Sequence, residues 1–458
     1  MTVLSILTKL KNASGSNERI RILNENSTNE HFKKVVYYTL SNEKIYSIIP
    51  DTSWIETNGN EVYSEKTFDI LDRLATGELS GDEAENVVRS HINELNNDDA
   101  IVFIRTLQKE LRCGVSTTTA NKVWKGLIEE YPYMSCSLVK DVKLDKIDFK
   151  KGVYSQMKLD GMFISINIKN KEIVIRSRSG TLIPTEKLQN IVQAIQDTQL
   201  DNVQIHGEIV IVEKGTEKHI SREISNGIMN SLVKGEEEPE NSENYYPVVY
   251  VWDVIDIHSA IAKGSFNIPY SNRYEKLKSA VETSNSDVLK MVETKVCYSY
   301  QECLTHFGEL VKQGYEGTVF KLSNAIWKDG KSKEQIKLKI DFDCDLEIVG
   351  IENGKLDSKL DGKPAILNLK SADDDLLKVN VTIKNEKMRS QIMENADEWI
   401  GKIVVVKSNN ITLVKDDDGN EFHSLFLPRL AFDEYRTDKK LADDIKRIKS
   451  IYQSAIGG

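Results

Sequence analysis

Lys158 stands in the segment Gln156-Met157-Lys158-Leu159-Asp160-Gly161, where an amine at a strand end precedes an Asp-Gly turn. Such a turn holds the backbone while the lysine projects outward. Alone, the tetrapeptide reads as well as a surface hairpin with a solvated lysine. Five later segments add groups in a fixed order. Ser177-Arg178-Ser179-Gly180 supplies a cation, Ile205-His206-Gly207-Glu208 an acid at a strand start, and Tyr250-Val251-Trp252-Asp253 an aromatic ring. Glu316-Gly317 supplies another acid, and Lys337-Leu338-Lys339 puts two lysines on one strand face. An amine nucleophile with further cations, carboxylates and a ring suits nucleotidyl transfer through a lysine phosphoramidate, a reaction governed by positioning and charge neutralisation.

The elements that must position these groups follow from the hydrophobic pattern. Up to about residue 130 the period is helical, as in Phe68, Ile70, Leu71, Leu74 and, after Gly77 and Ser80, Val87, Val88, Ile92, Leu95. From about residue 150 the period becomes two: Met162, Ile164, Ile166 and Ile168 alternate with Phe163, Ser165 and Asn167, and Glu172-Ile173-Val174-Ile175 follows. Helices return from Thr185 through Leu188, Ile191, Val192 and Ile195, and from Tyr300 through Leu304, Phe307, Leu310 and Val311 to Gly314. Beyond residue 344, short strands at Leu346–Val349, Leu377–Val381 and Ile403–Val406 suit a small β-barrel. The 458 residues allow roughly three domains. The expected fold class is therefore multidomain: all-α over 1–132, α+β over 133–343 and a β-barrel over 344–458.

Composition narrows the function classes. The chain is 40% hydrophobic and 29% charged, and no run approaches the roughly 20 apolar residues of a membrane span. The first ten residues lack a basic leader and a cleavage site, so a cytoplasmic location without an export signal is expected. Cys113, Cys136, Cys297, Cys303 and Cys344 are scattered and form no CxxC pair, which points to reduced thiols rather than disulfides or a zinc module. The seven histidines lack the spacing of paired metal ligands. A net charge of −10 argues against a protein that coats nucleic acid nonspecifically but not against a DNA enzyme. Glu236-Glu237-Glu238 and Asp416-Asp417-Asp418 read as solvated loops.

The ordered segments from Lys158 to Lys339 resemble the nucleotidyl motifs of the covalent lysine nucleotidyltransferases, and within them the bacteriophage-type ATP-dependent DNA ligases. Cys113-Gly114-Val115-Ser116, Ala120-Asn121-Lys122-Val123-Trp124 and Gly126-Leu127-Ile128 look like the helical DNA-binding domain of such ligases. Ser225-Asn226-Gly227 and Leu427-Pro428 carry the same likeness, and Tyr435-Arg436-Thr437-Asp438-Lys439 resembles their R-x-D-K motif. The resemblance implies a helical DNA-binding domain over 1–132, an adenylation (nucleotidyltransferase) domain over 133–343 and an OB-fold domain over 344–458. It implies ATP and Mg2+ (or Mn2+) as cofactors. Nicked double-stranded DNA is the implied partner, held by a monomer that encircles it.

By that resemblance Lys158 attacks the α-phosphate of ATP and carries AMP. At an ordinary pKa near 10.4, only about one lysine in 2,500 is neutral at pH 7, so Lys337, Lys339, a metal ion and burial are expected to disfavour its charge. Lys337 and Lys339 would neutralise the α-phosphate, and Arg178 would contact ribose and nick phosphate. Trp252 would stack on adenine, with Gln156 near the base edge and Met157 beside it in the nucleotide site. Glu208 is assigned to the ribose hydroxyls, while Glu316, with Glu208 and Asp160, forms the expected metal set. Arg436 and Lys439 would cover the pyrophosphate.

Three positions depart from the family pattern. Phe163 stands where an arginine usually follows the K-x-D-G glycine, unless Arg176, Arg222 or another basic group substitutes. Lys331 stands at another family arginine, and Glu434 where basic residues are common. An RNA ligase would share the lysine chemistry, but the helical domain argues for duplex DNA. An NAD-dependent ligase is disfavoured by the missing zinc module, and a noncatalytic clamp by the retained lysines and carboxylates.

Overall fold

Thr2, Asn29, Asn96 and Ser116 each cap a helix by accepting a backbone amide hydrogen bond, which satisfies donors that the first turn leaves open. They open four of seven helices described in the N-terminal region: α1 Val3–Lys11, α2 Ser16–Glu25, α3 Glu30–Leu40, α4 Glu65–Ala75, α5 Gly81–Glu94, α6 Asn97–Leu107 and α7 Thr117–Val123. Their apolar faces meet in one core around Leu7, Phe32, Leu71, Ile92 and Phe103. The computed structural model describes residues 2–457, apart from 217–218, 221–223, 226, 230, 232–241, 356–357, 359, 374–375 and 417–418. Arg222, Asn226, the Glu236–Glu238 block, Asp417 and Asp418 lie outside the described residues.

Spatial contacts divide the chain into two compact units. The first comprises Met1–Ser135, Gly161–Val292 and Ile326–Lys331, and the second Cys136–Asp160, Glu293–Ala325 and Ser332–Gly458. The segments interleave because one sheet joins strands from residues 134–158 to strands from residues 294–339.

β1 (Met134–Leu138) and β2 (Val153–Lys158) precede the five strands of the first unit's main sheet. These are β3 (Met162–Lys169), β4 (Glu172–Ser177), β5 (Val203–Glu213), β6 (Tyr245–Asp256) and, after the short β7 (Ser265–Phe266), β8 (Leu289–Met291). Their order is β4-β3-β5-β6-β8. Ile164, Ile166 and Ile168 face a core shared with the helices Gln189–Asp197 and Tyr270–Ser284, so Phe163, Ser165 and Asn167 take the opposite face. The helix expected from Thr185 begins at Gln189, because residues 185–188 form a turn in which the Leu188 amide donates to the Thr185 carbonyl. Beneath β6, Arg273 makes a two-point ion pair with Asp253 at 2.8 and 3.0 Å, both side chains almost fully buried.

The second unit joins β1 and β2 to β9 (Thr294–Cys297), β10 (Gly317–Leu322) and, beyond β11 (Trp327–Lys328), β12 (Gly330–Lys339), in the order β1-β12-β10-β2-β9. The helix Tyr300–Lys312 packs on this sheet through Cys303, and Phe307 and Val311 continue into the C-terminal core. That core lies against an antiparallel sheet in the order β15-β14-β13-β16-β19. Its strands are β13 (Phe342–Asn353), β14 (Pro364–Lys370), β15 (Lys378–Thr382), β16 (Ile403–Ser408) and β19 (Arg429–Leu430). β17 (Asn410–Lys415) and β18 (Glu421–Phe426) pair as a separate ribbon. The C-terminal region is thus β-rich, as its sequence period predicts. No helix among the described residues is long and apolar enough to cross a membrane.

Candidate active site

In the second unit the register of three antiparallel strands brings the lysines into adjoining rows. Lys158, the last residue of β2, lies opposite Gly317, which lies opposite Lys339. One step along, Gln156, Val319 and Lys337 form the next same-face row. Gly317 has φ +145°, and a Cβ there would sit 2.3 Å from the Leu338 carbonyl oxygen. Only glycine fits at this point between Lys158 and Lys339. Glu316, just before it, forms an ion pair with the Lys158 amine; both side chains remain about one-fifth to one-quarter exposed, at 20% and 24%. Burial lowers the Lys339 pKa, and Arg429, Lys337 and Lys158 push the same way while Glu316 opposes them. The Lys339 amine donates to Asn409 at 2.9 Å.

Gln156 is buried on the lysine face and donates to the Thr294 hydroxyl at 3.1 Å. Met157 belongs to the opposite face, in register with Thr318 and Leu338, and its side chain is buried. The structure therefore does not bring the Met157 side chain beside the lysines; the strand's two-residue period turns it away. Asp160 follows the strand as an exposed residue.

The first unit carries Arg178, Glu208 and Trp252. Glu208 sits in the middle of β5, not at the strand start its sequence suggested, in register with Phe163 and Tyr250. It accepts the Gly161 amide at 2.9 Å. Gly161 lies so close to β5 that a Cβ would meet the Ile209 carbonyl oxygen at 2.2 Å, which explains the glycine of the Asp-Gly pair. Trp252 is the extra residue of a β-bulge: His206 pairs with Asp253 and Gly207 with Val251. A bulge re-aims a side chain from the ladder. Arg178 occupies a tight turn closed by the Gly180 amide donating to the Ser177 carbonyl at 3.0 Å. Arg176 braces that turn through the Gly180 carbonyl at 2.9 Å and the Tyr131 hydroxyl at 3.3 Å.

Arg436 and Lys439 converge in the second unit on Asp345, at 2.8 and 2.6 Å, beside a cleft of about 600 Å³. Lys439 also reaches Asp443 at 2.7 Å. Burial works against the Lys439 charge, but Asp345 and Asp443 outweigh it and hold its pKa above the ordinary value. Asp438, hydrogen-bonded by Arg436, is held down to about 2.

Two family models account for most of the sequence: a DNA ligase N terminus matches residues 3–125 and an ATP dependent DNA ligase domain residues 134–339. The DNA ligase of Enterobacteria phage T6 is 28% identical over 99% of this chain and 100% of its own length, and that of phage T4 27% over the same shares. The chain belongs to the ATP-dependent DNA ligases. The solved structure of Pmar-Lig_PreS3 shares the fold, with a TM-score of 0.71 at 16% identity over 95% of this chain and 99% of that one.

Within this ligase, Phe163 packs edge-on against Tyr133 at 4.7 Å and lies 6.1 Å from the Trp252 ring. Lys331 is exposed on β12, and Glu434 lines the Arg436 cleft. Sequence reasoning missed Asp345, Asn409 and Tyr133. None of the three had a local signal: Asp345 is one of four acids that alternate through Asp341–Glu347, and the partners of Asp345, Asn409 and Tyr133 are remote in sequence. The described residues whose ligand atoms cluster as for a metal are Glu61, His91 and Glu94, within 4.8 Å of one another. There Lys66 already meets Glu94 at 2.8 Å and Glu61 at 3.2 Å, answering the carboxylate charge.

Proposed function

We propose that this ligase seals 5′-phosphate/3′-hydroxyl nicks in duplex DNA through a lysyl-AMP intermediate and a DNA-adenylate, serving replication, repair and recombination. The observation that carries the reading is the row Lys158, Gly317, Lys339, with Glu316 on the Lys158 amine. Lys158 leaves Glu316, loses its proton and attacks the α-phosphorus of ATP; an N–P bond forms, the bond to the β-phosphate oxygen breaks and pyrophosphate departs. Lys337 and Lys339 neutralise the α-phosphate. The 5′-phosphate of the nick then takes AMP from Lys158, and the 3′-hydroxyl displaces AMP to close the strand. Each step gains from cations fixed where charge develops.

Gln156 meets the base edge, Trp252 stacks on adenine, Glu208 accepts the ribose hydroxyls and Arg178 contacts ribose and nick phosphate. Arg436 and Lys439 cover the pyrophosphate after leaving Asp345. Mg2+ (or Mn2+) neutralises triphosphate charge when bound. Glu316, Glu208 and Asp160 are the hard oxygen donors that would hold it. Residues 1–132 form the DNA-binding domain, 133–343 the adenylation domain and 344–458 an OB-fold domain, and the chain acts as a monomer around DNA. Phosphate contacts dominate such binding, so sequence preference is low.

Sealing assays with ATP and Mg2+ on matched nicked duplexes test the substrate. Faster sealing of DNA than of RNA is the expected result. Preferential sealing of the RNA duplex, or dependence on NAD, would overturn this assignment.

A further inference from the structure

Arg178 projects from a turn whose backbone is held from two sides: Arg176 donates to the Gly180 carbonyl, and Asn42 donates to the Ser179 carbonyl. The remaining freedom lies in the side chain. Its guanidinium lies over the Tyr133 ring, 4.1 Å from the centroid, and no carboxylate or carbonyl partner holds it among the described residues. Tyr133 is itself rigidly placed. Its amide donates to Asp329 at 2.9 Å, its carbonyl accepts the Gly330 amide at 2.9 Å, and the Phe163 ring abuts its own at 4.7 Å. Phe163 in turn adjoins Trp252, so an aromatic frame runs from Trp252 through Phe163 and Tyr133 to Arg178.

We infer that Tyr133, braced by Phe163, is a positioning residue that aims Arg178 at the phosphate of the nick. This rests on the proposed role of Arg178. Phe163 cannot bind phosphate as the usual family arginine does. Here it instead supports the platform on which one arginine is stacked. A guanidinium is flat and delocalised, so it stacks on the ring while its N–H edge stays free for phosphate oxygens. A lysine ammonium cannot reproduce that arrangement.

The test uses the full chain, adenylated beforehand, in single-turnover sealing of a nicked DNA duplex over a range of DNA concentrations. Tyr133→Leu should raise the half-saturating DNA concentration by roughly two- to fivefold, the factor carried by a cation–π contact at an exposed site. Tyr133→Phe keeps the ring and should match the native chain. Arg178→Ala should weaken DNA capture further, and adding Tyr133→Leu to it should cost nothing more, because the two changes remove one interaction. Arg178→Lys, with Tyr133 intact, should reproduce at least the Tyr133→Leu defect, which keeps the inference testable if Tyr133→Leu does not fold. Additive effects in the double variant, or native behaviour of Arg178→Lys where Arg178→Ala is impaired, would overturn the positioning role. Native DNA capture by Arg178→Ala would instead sink the assignment of Arg178 itself.

Discussion

Replacing Gly317 with alanine should unseat the lysine row without touching a charged group. The new methyl would lie 2.3 Å from the Leu338 carbonyl oxygen and 3.0 Å from the Phe307 ring, whereas ordinary contacts begin at 3.4 Å. β10 and β12 must then part by roughly 1 Å, a form of overpacking that costs about 1–3 kcal/mol. The φ of +145° adds backbone strain of about 1–3 kcal/mol for any residue with a Cβ. The sum, roughly 2–6 kcal/mol, is a large part of a typical domain's stability. Because Lys158 and Lys339 flank Gly317 in register, a shift of about 1 Å should also slow lysyl-AMP formation by about a hundredfold in whatever fraction folds. Denaturant unfolding measures the first effect, and label transfer from ATP, normalised to folded protein, the second. Gly308→Ala is the control: this glycine lies in the helix Tyr300–Lys312 with nothing near its missing Cβ, so the change should stabilise by about 0.5–1 kcal/mol. The reasoning fails if Gly317→Ala unfolds at the native denaturant concentration and accepts AMP at the native rate.

Burial holds the pKa values of His31, His91, His219 and His306 below the ordinary histidine value of about 6.5, so unfolding takes up protons as pH falls through that value. Stability contributed by these neutral histidines is therefore present above about pH 6.5 and lost below it, by at most about 1.4 kcal/mol per pH unit for each group. Calorimetric unfolding from pH 7.5 to 5.5 should show the loss, and a flat profile would contradict it. Lys339, depressed chiefly by burial, sheds its proton earlier than an ordinary lysine, so the rate of AMP transfer to Lys158 should decline on the alkaline side. Lys339→Arg should move that decline to higher pH; an unmoved limb would assign it to another group. Arg273→Met strands the Asp253 carboxylate inside the first unit and should cost about 3–5 kcal/mol. Arg273→Met combined with Asp253→Leu should recover much of that loss, and equal instability in both would show that packing rather than the stranded charge sets the cost.

What was legible in the sequence had local causes. The Asp-Gly after Lys158, the two-residue spacing of Lys337 and Lys339, and the alternation through Ile164, Ile166 and Ile168 are all set by neighbours in the chain. The C-terminal stop of the helix Tyr300–Lys312 before Gly314, which has φ +93°, is equally local. Nonlocal pairing hid the rest. Nothing near Glu316 shows that Gly317 separates Lys158 from Lys339, because that depends on the register of three strands. The bulge that takes Trp252 out of the strand register is a misalignment between β5 and β6, and the Asp345 contact with Arg436 spans 91 positions. Met157 was grouped with its neighbours by sequence, yet the pleat turns its side chain to the other face.

The central claim is that Lys158 carries AMP, and the most direct measurement uses α-labelled ATP with Mg2+ on the native chain and on Lys158→Ala, analysed after denaturation and after a chase with nicked duplex DNA. Label that survives denaturation, is absent from Lys158→Ala and passes into sealed DNA is the predicted result. A native chain that takes no label, or a Lys158→Ala chain that takes it equally, would contradict the account.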